Sequence, residues 1–103
     1  MDTNQLTPMA YEIIWLANDA SHFLKSELGA ACSDFHKEDD YLIGILTYIK
    51  EIEAAPIDYL DSWNIAEQTD IRKFKQKIKA LRNHIEKSIA TPLEKRGTPE
   101  WQD

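Results

Sequence analysis

Apolar residues recur along this chain at steps of three and four, the period of a helix with one buried face. The clearest run extends from Thr69 to Ala90, where Ile71, Phe74, Ile78, Leu81, Ile85 and Ile89 fall on a single stripe. Arg72, Lys73, Lys75, Lys77, Lys79, Arg82 and Lys87 fill the rest of that circumference. At 1.5 Å per residue such a helix is a rod of about 30 Å, the width of a small domain. Its stripe needs apolar partners, and the chain supplies them upstream.

Thr7-Pro8 is a helix start, a hydroxyl cap followed by a proline whose missing N–H costs nothing at the first helical position. The pattern predicts a helix from there to about Leu28, stopped at Gly29, with Met9, Ile13, Leu16, Ala17, Ala20, Phe23, Leu24 and Leu28 facing the core. A second helix begins between Asp34 and Asp40 and ends before Pro56, which pushes Ala55 out of the helical region. Its stripe is Leu42, Ile45, Leu46, Ile49 and Ile52, flanked by Tyr41 and Tyr48, and Gly44 weakens it. Glu38, Asp39 and Asp40 sit at its positive N-terminal end, where carboxylates are stabilising.

Residues 57–65, with Tyr59, Leu60 and Trp63, suit a short helix or ordered loop. Thr69 or Asp70 caps the long helix and Thr91-Pro92 ends it. Residues 1–6 read as frayed and 93–103 as a polar tail with Trp101. The predicted fold is all-α: one domain over 1–103, an antiparallel up-down-up bundle of three long helices with the short element between the second and third. Hairpin signals are absent.

A chain of 103 residues can bury a core without disulfides or metal. The single cysteine, Cys32, permits no intramolecular disulfide. With neither a signal-peptide pattern nor an apolar run long enough to cross a bilayer, the reading is cytoplasmic, with no membrane partner. The net charge of −6 conceals an asymmetry: residues 1–68 carry 13 acids against three lysines, whereas residues 69–103 carry nine bases against five acids. A basic helix lying beside acidic ones lowers the field energy of the bundle.

Candidate chemistry is sparse. His22, His36, His84 and Cys32 lack the paired spacings of a structural zinc site, so neither a metal nor another cofactor is expected. No nucleophile elbow or glycine-rich phosphate loop is present, and the chain reads as non-enzymatic. His22-Phe23-Leu24-Lys25 resembles the core of the histidine phosphotransfer domains, four-helix bundles that relay a phosphoryl group through one exposed histidine. The resemblance implies that role for His22 and matches Lys25 to the family's lysine, while Ser26 stands where the family has glycine. Arg82-Asn83-His84 resembles the Arg-Asn…His signature of helical ribonuclease toxins, but that histidine follows several residues later, so the pattern is not met.

Two surfaces remain. Lys75, Lys79 and Arg82 form an i, i+4, i+7 row able to track phosphates, although the overall acidity opposes nucleic acid as a partner. Tyr11, Trp15, Asn18 and His22, at spacings of four, three and four, form a second stripe on the first helix, away from its core face. Large aromatic side chains on an expected wet face are either covered by Trp63 or the tail, or they anchor a partner. The sequence thus reads as a small acidic protein that docks onto another protein of inhibitor, immunity or adaptor type, or onto a second copy of itself. The alternatives are phosphoryl relay through His22 and nucleic-acid binding through the basic helix. Ile78→Asp, which puts an unpaired charge in the middle of the longest stripe, is expected to lower stability by about 4 kcal/mol or more in urea denaturation followed by circular dichroism.

Overall fold

A computed structural model describes residues 6–56 and 71–96. Among them the chain is predominantly helical, with no strand. The α-helices are α1 (Pro8–Ala20), α2 (His22–Ala31), α3 (Glu38–Ala54) and α4 (Ile71–Ala90), with single 3-10 turns at Cys32–Asp34 and Leu93–Lys95. The expected element at 57–65 and the Thr69 or Asp70 cap lie outside the described residues.

The single helix expected from Thr7 to Leu28 is two helices. Ser21 is extended (φ −167°, ψ 134°) and serves both sides of the break. Its backbone N–H donates to the Ala17 carbonyl at 2.9 Å, closing α1. Its hydroxyl accepts from the Leu24 N–H at 3.4 Å, opening α2. Serine offers the backbone this local alternative to a continuing helix, and Asn18 and Asp19 just before it are weak helix formers too. The chain therefore needs no terminator at Gly29, which lies inside α2. Ala10 and Ile14 join Ile13, Ala17 and Ala20 in the core, whereas Phe23, expected inside, is exposed.

The α4 stripe is the centre of the molecule. Phe74, Ile78, Leu81 and Ile85 are buried, and Ile89 packs against them. The helix packs against both α1 and α3, and α1 packs against α2. Leu42, Ile45, Ile49 and Ile52 supply the α3 face as the period predicted, and Tyr41 turns fully inward. The Tyr41 hydroxyl donates to the Leu28 carbonyl at 2.7 Å, linking α3 to α2. Gly44 has a packing reason: a Cβ there would lie 2.8 Å from Cζ of Phe35, whose ring covers it.

Polar groups fix both ends. At one end Arg96, 2% exposed, inserts its guanidinium between α3 and the end of α4. Nη1 donates to Glu38 at 3.0 Å and Asp39 at 2.6 Å, Nε to the Thr91 carbonyl at 2.9 Å, and Nη2 to the Ile89 carbonyl at 3.3 Å. The Glu38 carboxylate, also buried, accepts from the Thr7 N–H at 2.8 Å and the Thr7 hydroxyl at 3.0 Å. Thr7 Oγ1 in turn caps α1 by accepting from the Ala10 N–H. The Arg96 carbonyl completes the circuit by accepting from the Met9 N–H at 3.2 Å. Burial works against the charge on Arg96, but the hydrogen bonds to Asp39 and Glu38 outweigh it and hold the guanidinium above its ordinary pKa. The tail expected over 93–103 is thus anchored through Arg96 as far as it is described. Leu6, expected to fray, is buried.

At the other end the lysines of α4 satisfy carbonyls that helix ends leave open. Lys77 Nζ donates to the Asp19 carbonyl of α1 at 2.8 Å, and Lys75 Nζ to the Glu53 and Ala55 carbonyls at the end of α3 at 3.5 and 3.2 Å.

Both the buried ion pair and the buried phenol can be tested by substitution. Arg96→Ala leaves the buried Glu38 without its cation and should cost about 3 kcal/mol or more in urea denaturation. Burial first, and the neighbouring Cys32 second, push the Tyr41 phenol above its ordinary value of 10.0. A raised folded-state pKa contributes stability that is intact below about pH 10 and lost as pH rises further. Melting curves from pH 7 to 11.5 should show the wild type losing stability above pH 10 more steeply than Tyr41→Phe, a variant about 1 kcal/mol weaker at pH 7 for its lost hydrogen bond.

Candidate functional site

The core requirements of α1 determine what it displays. Ala10, Ile13, Ile14, Ala17 and Ala20 take the inner face at steps of three and four, leaving positions 11, 15 and 18 on the outer one. Trp15 is 58% exposed and Tyr11 38%. Their rings meet edge to face, with centroids 6.3 Å apart and planes at 71°. Such a contact is worth about 0.5–1.5 kcal/mol and limits the rotamers each ring samples. Tyr11 therefore restrains the Trp15 indole on one side, and Trp15 remains 58% exposed.

Asn18 and His22 continue the strip across the Ser21 break. Asn18 Oδ1 and His22 Nδ1 lie 3.4 Å apart, both on exposed side chains. The structure thus brings the four predicted residues together as two contacting pairs, Tyr11 with Trp15 and Asn18 with His22. Their expected covers, Trp63 and Trp101, lie outside the described residues. Beside the strip, Glu12 faces His84 of α4 at 3.5 Å, and His84 Nε2 donates to the Met9 carbonyl at 2.9 Å.

The basic row has a different setting. Lys75 holds the C-terminal carbonyls of α3, and Arg82 Nε donates to Glu53 at 2.6 Å while Nη1 reaches Glu86 at 3.1 Å. Hydrogen bonds to Glu53 and then Glu86 raise the Arg82 pKa further. Lys79 is exposed. Two of the three cations predicted to track phosphates are hydrogen-bonded within the chain.

Among the described residues no group of three or more His, Cys, Asp and Glu could hold a metal ion, and no helix is long and apolar enough to cross a membrane. Sequence reasoning assigned nothing to Phe35, which lies in the connector before α3. In the structure its ring borders a cleft of about 280 Å³ between α2 and α3. The available signal was Gly44, since a glycine within a helical pattern commonly marks a close approach. No family model, curated protein or solved structure matches the chain.

Proposed function

We propose that this chain is a non-enzymatic interaction protein that docks the Tyr11–Trp15 strip onto another protein or a second copy of itself. One observation carries the reading: Trp15 is 58% exposed on a helix whose opposite face is fully supplied with core residues. Aromatic side chains of this kind are the usual anchors of protein interfaces. The edge-to-face contact with Tyr11 reduces the ordering that binding would require. Asn18 and His22 supply polar groups at the rim, as interfaces commonly have.

The platform in this reading is an antiparallel arrangement running up and down through α1, α2, α3 and α4. The hydrogen bonds support it, since the C-terminal end of α4 meets the starts of α1 and α3 through Arg96, and its first half meets their ends through Lys77 and Lys75. This differs from the up-down-up order read from the sequence, because the turn at Ser21 supplies one more change of direction.

A Tyr-Trp pair at an interface centre contributes about 2 kcal/mol or more per residue on truncation. Tyr11→Ser with Trp15→Ser is therefore expected to weaken association about a hundredfold or more while leaving the melting temperature nearly unchanged. The measurements are sedimentation velocity for self-association, capture from the native host for another partner, and thermal melting. A lowered melting temperature with unchanged assembly would assign the rings to the fold and remove the proposal.

A further inference from the structure

We infer that the Tyr11–Trp15 strip takes a cationic side chain, presented by a basic segment of another protein; this rests on the docking reading above and names the chemistry of its partner. The two rings form a corner. Their centroids lie 6.3 Å apart and their planes meet at 71°, so the rings stand nearly at right angles. A cation placed in that angle meets an aromatic face on one side and a second ring on the other, the arrangement by which aromatic cages hold charged nitrogen groups. The ring quadrupole attracts the charge, and indole offers the strongest such face. Both Trp15 and Tyr11 are exposed.

The charge that α1 itself places around the rings has one sign. Glu12 and Asp19 stand three residues before and four after Trp15, each one turn away, with Cβ atoms about 5–6 Å from that of Trp15. Pro8–Ala20 contains no lysine or arginine. From α4, His84 faces Glu12 at 3.5 Å, and Lys77 Nζ donates to the backbone carbonyl of Asp19 at 2.8 Å. Asp19 is exposed, and its carboxylate is the countercharge for a cation seated against Trp15. A second copy docking strip to strip would set the same two acids against each other, and like charges opposed across an interface are costly. An aliphatic anchor would fill the corner without using the charge. A basic side chain uses both.

The probe is the peptide acetyl-Leu-Arg-Leu-amide, compared with the same peptide carrying citrulline, which keeps the shape of arginine without its charge. ¹H–¹⁵N spectra of the full chain, followed at the Trp15 indole N–H and the amides of α1, read affinity and location together. Salt at about 0.15 M, where the Debye length is about 8 Å, screens the attraction of the overall negative charge. The arginine peptide is expected to bind about tenfold tighter than the citrulline one, a cation–π contact and an exposed ion pair together being worth about that much. Trp15→Leu keeps an apolar side chain and removes the aromatic face. Asp19→Lys reverses the countercharge at an exposed position in the last turn of α1, where a cation is favoured. Each variant should reduce the preference to about threefold or less. Equal affinity for both peptides, shifts centred away from α1, an unchanged preference in either variant, or no binding of the arginine peptide by about 10 mM would each overturn the inference. None of those results touches the docking reading itself, which falls on the melting and association behaviour of Tyr11→Ser with Trp15→Ser.

Discussion

The buried pair between Arg96 and Glu38 is the constraint on which the closed end of the molecule depends. Removing two charges from water costs several kcal/mol per ion, and the pair holds only because the remaining donors and acceptors are also satisfied. Here they are. Glu38 takes two hydrogen bonds from Thr7, and Arg96 gives two more to the carbonyls of Thr91 and Ile89. The same groups set the start of α1, the start of α3 and the exit from α4. Hydrophobic burial along α4 brings the helices together, but it is non-directional and tolerates a shift along the axis. The ion pair does not, because one carboxylate must meet one guanidinium and one threonine at the same time.

The charge asymmetry finds its explanation in the same terms. The acidic first part and basic last part of the chain are joined through specific contacts: Arg82 with Glu53, Arg96 with Glu38 and Asp39, and two lysines at the carbonyl ends of α1 and α3. The basic side of α4 thus works inward as well as outward. The exposed aromatic pair, Tyr11 and Trp15, lies elsewhere, on α1.

The features legible in the sequence were those that obey a period. The stripes of α3 and α4, the Thr7-Pro8 start and the Pro56 stop are all present, because burying one face of a helix leaves a repeat that survives in the residue order. Tyr11 and Trp15 were legible for the complementary reason, as large rings out of phase with the core. The break at Ser21 was harder, since Ile13, Ala17, Ala20, Leu24 and Leu28 continue the helical period straight across it. Arg96 left no trace at all. Hydropathy places an arginine outside and a leucine inside, yet Leu93 is 55% exposed and Arg96 is 2%. Its position depends on Glu38, a residue 58 places away, and no local pattern encodes such a pairing.

That separation bears on how the chain folds as it is made. During synthesis α1, α2 and α3 leave the ribosome before α4, which covers the apolar faces of α1 and α3. Until residue 96 emerges, Glu38 also lacks the cation that offsets the cost of its burial. The growing chain therefore has local helices to form early but no route to a closed core, and its decisive contacts are those of greatest sequence separation. The core closes only after α4 and the arginine beyond it have been released.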